Sequence, residues 1–176
     1  GAPRPILTMG NFDGLHLGPE ALLRQMSQEA KDVGGSSVVL TFEPHPLKIL
    51  APKRAPKLLL THKDKMLLLQ SRGVDVVVIQ EFNPAFAMIE AEEFVRSYLV
   101  EGLKVHRIWV GKEFRFGQGR RGDVGALTRW GKESGFEVKI IEPVMDEGQR
   151  ISSTRIRALI EEGEVHQVSR FLGRCH

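Results

Sequence analysis

Short apolar runs alternate with amphipathic ones along almost the whole chain, and few folds accept that order. Residues 6–9 are apolar and followed by Gly10, as in a buried strand. Leu22, Leu23, Met26, Ala30 and Val33 then recur at helical spacing until Gly34 and Gly35 stop them. Pro19 suits the first turn of that helix, where its missing N–H is not needed. Further strands are expected at 37–42, 74–79, 107–110 and 137–141. Helices are expected at 63–72, 91–99, 126–134, 154–162 and 165–172. Strands joined through helices imply α/β architecture: a doubly wound, mostly parallel, five-stranded sheet flanked by helices. No repeat, low-complexity tract or internal boundary divides residues 1–176, so one domain is expected.

Composition excludes several function classes. Apolar residues make up 41% and charged residues 27%, enough for an ordinary globular core. The lone cysteine, Cys175, rules out an internal disulfide framework and a multi-cysteine zinc site. No histidines and carboxylates share metal-ligand spacing, so no structural metal is expected. A net charge of +3 is too modest to imply nucleic-acid binding and suits an anionic small ligand equally well. No apolar run reaches the length of a membrane span and no signal-peptide pattern opens the chain, so the cytoplasm is the expected compartment.

Four segments carry residue types suited to chemistry. Gly10 to Gly18, which includes Asn11, Phe12 and His16, joins the first strand to the first helix. It is either a plain connecting loop or a phosphate cradle, because glycines permit close approach and helix N–H groups attract anions. Ser152, Ser153, Thr154 and Arg157 open a late helix. One such hydroxyl makes an ordinary cap; the surplus and the arginine suit a phosphate. Gly111 to Asp123 interleaves Glu113, Phe114, Arg115, Phe116, Arg120 and Arg121 with glycines. That is a surface loop anchored by phenylalanines, or a platform for a planar ring and its phosphate. Gly117 to Gly122 also fits G-x-G-x-x-G, but six residues separate it from the preceding strand. The dinucleotide fingerprint turns directly off its strand. In Thr41 to Pro46, Pro44 and Pro46 fix the backbone and present Phe42 and His45, as a rigid turn or a ligand-facing one.

Taken together, these segments resemble the FMN adenylyltransferase (FAD synthetase) module of bacterial bifunctional riboflavin kinase/FAD synthetases. Gly-Asn-Phe-Asp-Gly-Leu-His-Leu-Gly at 10–18 resembles that family's form of the nucleotidyltransferase H-x-G-H loop. Thr-Phe-Glu-Pro-His-Pro at 41–46 resembles its flavin-side turn, and 110–123 its glycine-rich loop. Ile-Ser-Ser-Thr-Arg-Ile-Arg at 151–157 resembles its I-S-S-T-x-x-R motif. The outer two motifs occur across the wider superfamily; the inner two are specific to the flavin enzymes.

The resemblance implies a nucleotidyltransferase-like Rossmann-type fold and transfer of AMP from ATP to FMN, releasing pyrophosphate, with Mg²⁺ accompanying ATP. It implies catalytic roles for His16, Ser153, Thr154 and Arg157. Gly10, Asn11, Phe12, Gly18, Gly111 and Ser152 would join these around ATP. Phe42, His45, Glu113 and Phe116 would border the flavin. Two departures stand out. Pro19 occupies the position of the second histidine of H-x-G-H. The riboflavin kinase module that follows in the family is expected to be absent from 1–176. The alternatives are a nucleotide- or flavin-binding module with little transferase activity, or the same fold acting on another second substrate.

Overall fold

The computed structural model describes residues 2–13, 17–142, 145–146, 149–150, 153–164 and 166–167. Its strands are β1 (Pro5–Met9), β2 (Ser36–Glu43), β3 (Val76–Glu81), β4 (Arg107–Gly111) and β5 (Glu137–Ile141). They form one five-stranded sheet in the order β3-β2-β1-β4-β5. Every pairing in that sheet is parallel. The chain steps outward from β1 to β3, then returns to the other side of β1 to lay down β4 and β5. The direction reverses at β1 and β4, and the crevice above that reversal is where open α/β sheets bind ligands.

The helices are α1 (Leu17–Asp32), α2 (Pro46–Leu50), α3 (His62–Ser71), α4 (Pro84–Ala87), α5 (Ala91–Phe94), α6 (Val124–Ser134) and α7 (Ser153–Glu161). Helix α5 continues as a wider π-helical stretch over Val95–Gly102. A short antiparallel hairpin, β6 (Met145–Asp146) with β7 (Gln149–Arg150), precedes α7.

Side-chain alternation along β1 separates two cores. Ile6 packs with Leu23 and Met26 of α1 and Leu69 of α3. Leu7 and Met9 face the opposite layer, with Phe94, Leu99 and Leu127. All five residues of β1 are buried, so the loop that leaves its carboxyl end starts from a fixed point.

Local chemistry explains where the elements differ from the sequence expectation. Strand β3 runs from Val76 to Glu81 rather than over 74–79. The Asp75 carboxylate accepts from Ser37 N at 2.8 Å and Ser37 Oγ at 3.1 Å. This side-chain clamp displaces the start of the strand. Helix α6 starts at Val124 because Asp123 caps it, accepting from Ala126 N at 2.8 Å. The short helices α2 and α4 each follow a side-chain cap and begin at a proline, whose fixed φ suits the first helical position. Of the expected helix at 165–172, only 166 and 167 lie within the described residues. Among the described residues, no helix is long and apolar enough to cross a membrane.

Leu23 is fully buried between α1 and the sheet. Leu23→Ala is expected to lower unfolding free energy by about 2–5 kcal/mol, measured by urea denaturation, because a methylene-rich side chain is lost and a cavity remains.

Candidate active site

The carboxyl ends of β1, β2 and β4 open onto a cleft of about 720 Å³. The loop after β1 supplies Gly10 and Asn11, the β2 end supplies Phe42 and His45, and the β4 end supplies Gly111, Glu113 and Phe116. Seven residues expected from the sequence to touch nucleotide or flavin thus line one space. Phe82, Phe86 and Ile89, which sequence reasoning passed over, complete its apolar side.

That side is an aromatic wall. Phe42 meets Phe86 at 5.9 Å between ring centroids, and Phe82 meets Phe86 edge-on at 5.5 Å. Phe86 continues to Phe94 at 6.0 Å, and Phe94 to Phe116 at 6.0 Å. Phe114 stacks on Phe116 at 5.6 Å with only 18° between planes. Each such pair contributes about 0.5–1.5 kcal/mol beyond area burial, so the wall is assembled by its own contacts.

The glycine-rich loop is pressed against this wall. Gly117 has φ +76°, and a Cβ there would lie 2.6 Å from the Ala91 Cα. Gln118 N donates to Ile89 O at 2.9 Å. Phe116 and Gly122 exchange backbone hydrogen bonds of 3.0 and 2.9 Å. These glycines let the loop touch α5 and the Phe116 ring, which accounts for the G-x-G-x-x-G spacing without a dinucleotide. Arg115 pairs with the α6 cap, Asp123, at 3.7 Å.

A polar network holds the loop that leaves β1. Gly10 N donates to Leu40 O at 3.1 Å, tying the end of β1 to β2. The Asn11 carbonyl accepts from Lys65 Nζ at 3.2 Å and Thr41 Oγ1 at 3.4 Å. Asp13 is 8% exposed at its side chain. Its carboxylate accepts from Leu59 N at 2.8 Å and Leu60 N at 3.3 Å. It also pairs with the Arg157 guanidinium of α7, and Arg157 Nε donates to Lys57 O at 3.0 Å. The loop after β1 and helix α7 therefore meet. Ser153 opens α7 and Thr154 is exposed beside it. His16 and Ser152 lie outside the described residues. Gly18 lies in the first turn of α1, and Phe12 packs against the α1-side core.

Lys65, Asp13 and Glu43 are polar groups that sequence reasoning missed. Asp13 sat inside a motif without a partner in view. Lys65 reads as one charge on a solvated helix, yet it is 9% exposed. It stands 3.7 Å from Glu43, which also pairs with His62. Burial lowers the Lys65 ammonium's affinity for its proton, while Glu43 and Asp13 oppose that shift.

His45 has a constrained ring. Nδ1 accepts from Leu47 N at 3.1 Å, capping α2, so the neutral ring carries its proton on Nε2. Nε2 lies 3.4 Å from the Asn11 amide nitrogen, while Asn11 Oδ1 is buried without a hydrogen-bond partner. A half-turn of the amide would pair that oxygen with Nε2–H and present the NH₂ group elsewhere. The His45 pKa is lowered from its ordinary 6.5, chiefly by burial, with Arg157, Lys48 and Lys65 adding and Asp13 opposing. The unfolded chain therefore takes up this proton first as pH falls through 6.5, and stability decreases until the folded ring also protonates. Urea midpoints between about pH 7.5 and 5.5 should show this slope, and His45→Gln should flatten it.

The architecture defines an α/β protein of the doubly wound type. A profile of the FAD synthetase family matches residues 2–155, and the chain belongs to that family. It is 37% identical over 168 residues to the bifunctional riboflavin kinase/FMN adenylyltransferase of Escherichia coli K12, covering 96% of this chain and 54% of that protein. It is 36% identical over 169 residues to the protein of the same name from Pseudomonas fluorescens, again covering 96% and 54%. The chain thus spans about half the length of these curated relatives. A solved structure described as a macrolide-efflux protein from Streptococcus pneumoniae superposes with a TM-score of 0.85 at 30% identity, covering 99% of this chain and 58% of that one.

Proposed function

We propose that this chain is an FMN adenylyltransferase, forming FAD and pyrophosphate from FMN and ATP. The observation that carries the proposal is the single cleft joining an aromatic wall at Phe42, Phe86 and Phe116 to the loop after β1, in a chain of the FAD synthetase family. An isoalloxazine ring needs a flat apolar wall with polar groups at its edge. Phe42, His45, Glu113 and Phe116 meet that need. A triphosphate needs backbone N–H groups and cations, and Gly10, Asn11, Phe12, His16, Gly18, Gly111, Ser152, Ser153, Thr154 and Arg157 are assigned to it.

The reaction asks little proton chemistry of the protein. An oxygen of the FMN phosphate bonds to the ATP α-phosphorus, the bond from that phosphorus to the β-bridging oxygen breaks, and pyrophosphate leaves with the electron pair. The nucleophile is already anionic, so catalysis rests on alignment and on neutralising charge. The aromatic wall holds the flavin end and excludes water around it. His16, Ser153, Thr154 and Arg157 supply donors at the phosphates. Mg²⁺ arriving on ATP adds neutralisation there. Among the described residues no cluster of three or more His, Cys, Asp or Glu could cage a cation, and an ATP-borne Mg²⁺ needs only one or two carboxylates beside the phosphates.

Incubation with FMN, ATP and Mg²⁺ followed by chromatography tests the proposal. FAD and equimolar pyrophosphate are expected. Binding of both substrates without FAD formation would instead establish a binding module, the reading that Pro19 favours. Proline in the first turn of α1 offers no imidazole to the phosphates. Because a transition-state donor acts on kcat more than on ground-state affinity, Pro19→His is expected to raise kcat by up to about 10²–10³. ATP affinity by calorimetry should stay unchanged.

A further inference from the structure

Lys65 lies on α3 beneath the loop that leaves β1, and the reaction just described gives it no role. Its ammonium donates to the Asn11 carbonyl at 3.2 Å and to Thr41 Oγ1 at 3.2 Å. Thr41 Oγ1 lies 3.4 Å from the same carbonyl and is itself fully buried. A single peptide oxygen at the mouth of the cleft is thus gripped from below by two side chains on two different elements.

The next residue shows why the grip matters. Phe12 has φ +50°, a left-handed conformation costly for a side chain branched into a ring. Such a conformation persists only where the surroundings over-determine it. The Asn11 carbonyl and the Phe12 N–H belong to one planar trans peptide, so they point in opposite directions. Fixing the oxygen downward onto Lys65 fixes the Phe12 N–H upward, away from the sheet. Thr41 alone, a neutral donor at the longer distance, gives the weaker restraint.

We infer that Lys65 is a positioning residue for nucleotide binding: its buried ammonium sets the Asn11–Phe12 peptide so that the loop presents its N–H to the phosphates of ATP. This rests on the proposed assignment of the β1–α1 loop to ATP. The flavin end of the cleft is built on the aromatic wall, so the effect falls on ATP and spares FMN.

The test is Lys65→Met, which keeps length and volume while removing the donor. Wild-type protein is first shown to bind ATP and FMN and to make FAD. Failure there overturns the functional proposal itself. With that established, Lys65→Met is expected to weaken ATP binding at least about tenfold by calorimetry. Its KM for ATP should rise, while FMN affinity from flavin fluorescence changes less than about twofold. A general loss of packing would lower the active fraction without separating the two ligands. Thr41→Val, which removes the second grip isosterically, should shift ATP affinity in the same direction by less. It also carries the test if Lys65→Met does not fold. Unchanged ATP affinity in the folded variant, or equal weakening for ATP and FMN, would overturn the inference.

Discussion

The rim geometry depends on β1 being sealed on every side. Its five residues are buried, its edges are paired to β2 and β4, and its faces feed two separate cores. A strand in that position has no freedom to slip, because a one-residue shift would send Leu7 into the α1 layer and Ile6 out of it. The first residue beyond it is tied down as well, since Gly10 N donates to Leu40 O of β2 at 3.1 Å. That is what a phosphate loop requires, since N–H groups that must reorganise on binding lose part of their value.

Charge then joins distant parts of the chain to this anchor. Asp13 and Lys65 are buried ions, and each needs several partners to offset desolvation. Asp13 finds backbone N–H groups at Leu59 and Leu60 and the guanidinium of Arg157. Lys65 finds Asn11, Thr41 and Glu43. The segment between α2 and α3 has little regular structure, and it is held at its end by Asp13 and through Lys57 by Arg157. Polar pairs thus do for the rim what apolar packing does for the sheet.

The sequence made the central strands β1, β2 and β4 legible because period and composition agree there: continuous burial reads as runs of apolar residues. Boundaries shifted where side chains replaced backbone partners, as at Asp75 and Asp123. The cleft-lining residues Phe42, His45, Glu113 and Phe116 were legible because they sit in motifs rich in glycine and proline. Phe82 and Phe86 were not, because Pro84 between them marks only a turn and their segment is brought to the cleft by parallel pairing of β3 with β2. Lys65 was hidden for a related reason. A lysine on an amphipathic helix reads as solvated, and only the tertiary position of α3 under the first loop makes it a buried donor.

Arg157 shows how the two ends of the site can share one group. In this structure its guanidinium already holds Asp13 through Nη2 and the Lys57 carbonyl through Nε. Those bonds do not exhaust it, because a guanidinium carries five N–H donors in a planar fork. On the proposed reaction, a phosphate approaching α7 meets the remaining hydrogens while Asp13 keeps the plane from turning. Asp13 also repels that phosphate, so the arrangement works only if the carboxylate stays neutralised by its own donors, Leu59 N, Leu60 N and Arg157. A lysine at 157 would offer one point charge to both anions and no fixed plane. The pairing of Asp13 with Arg157 is thus compatible with phosphate binding because of the chemistry of arginine, and it sets the direction from which the phosphate must come.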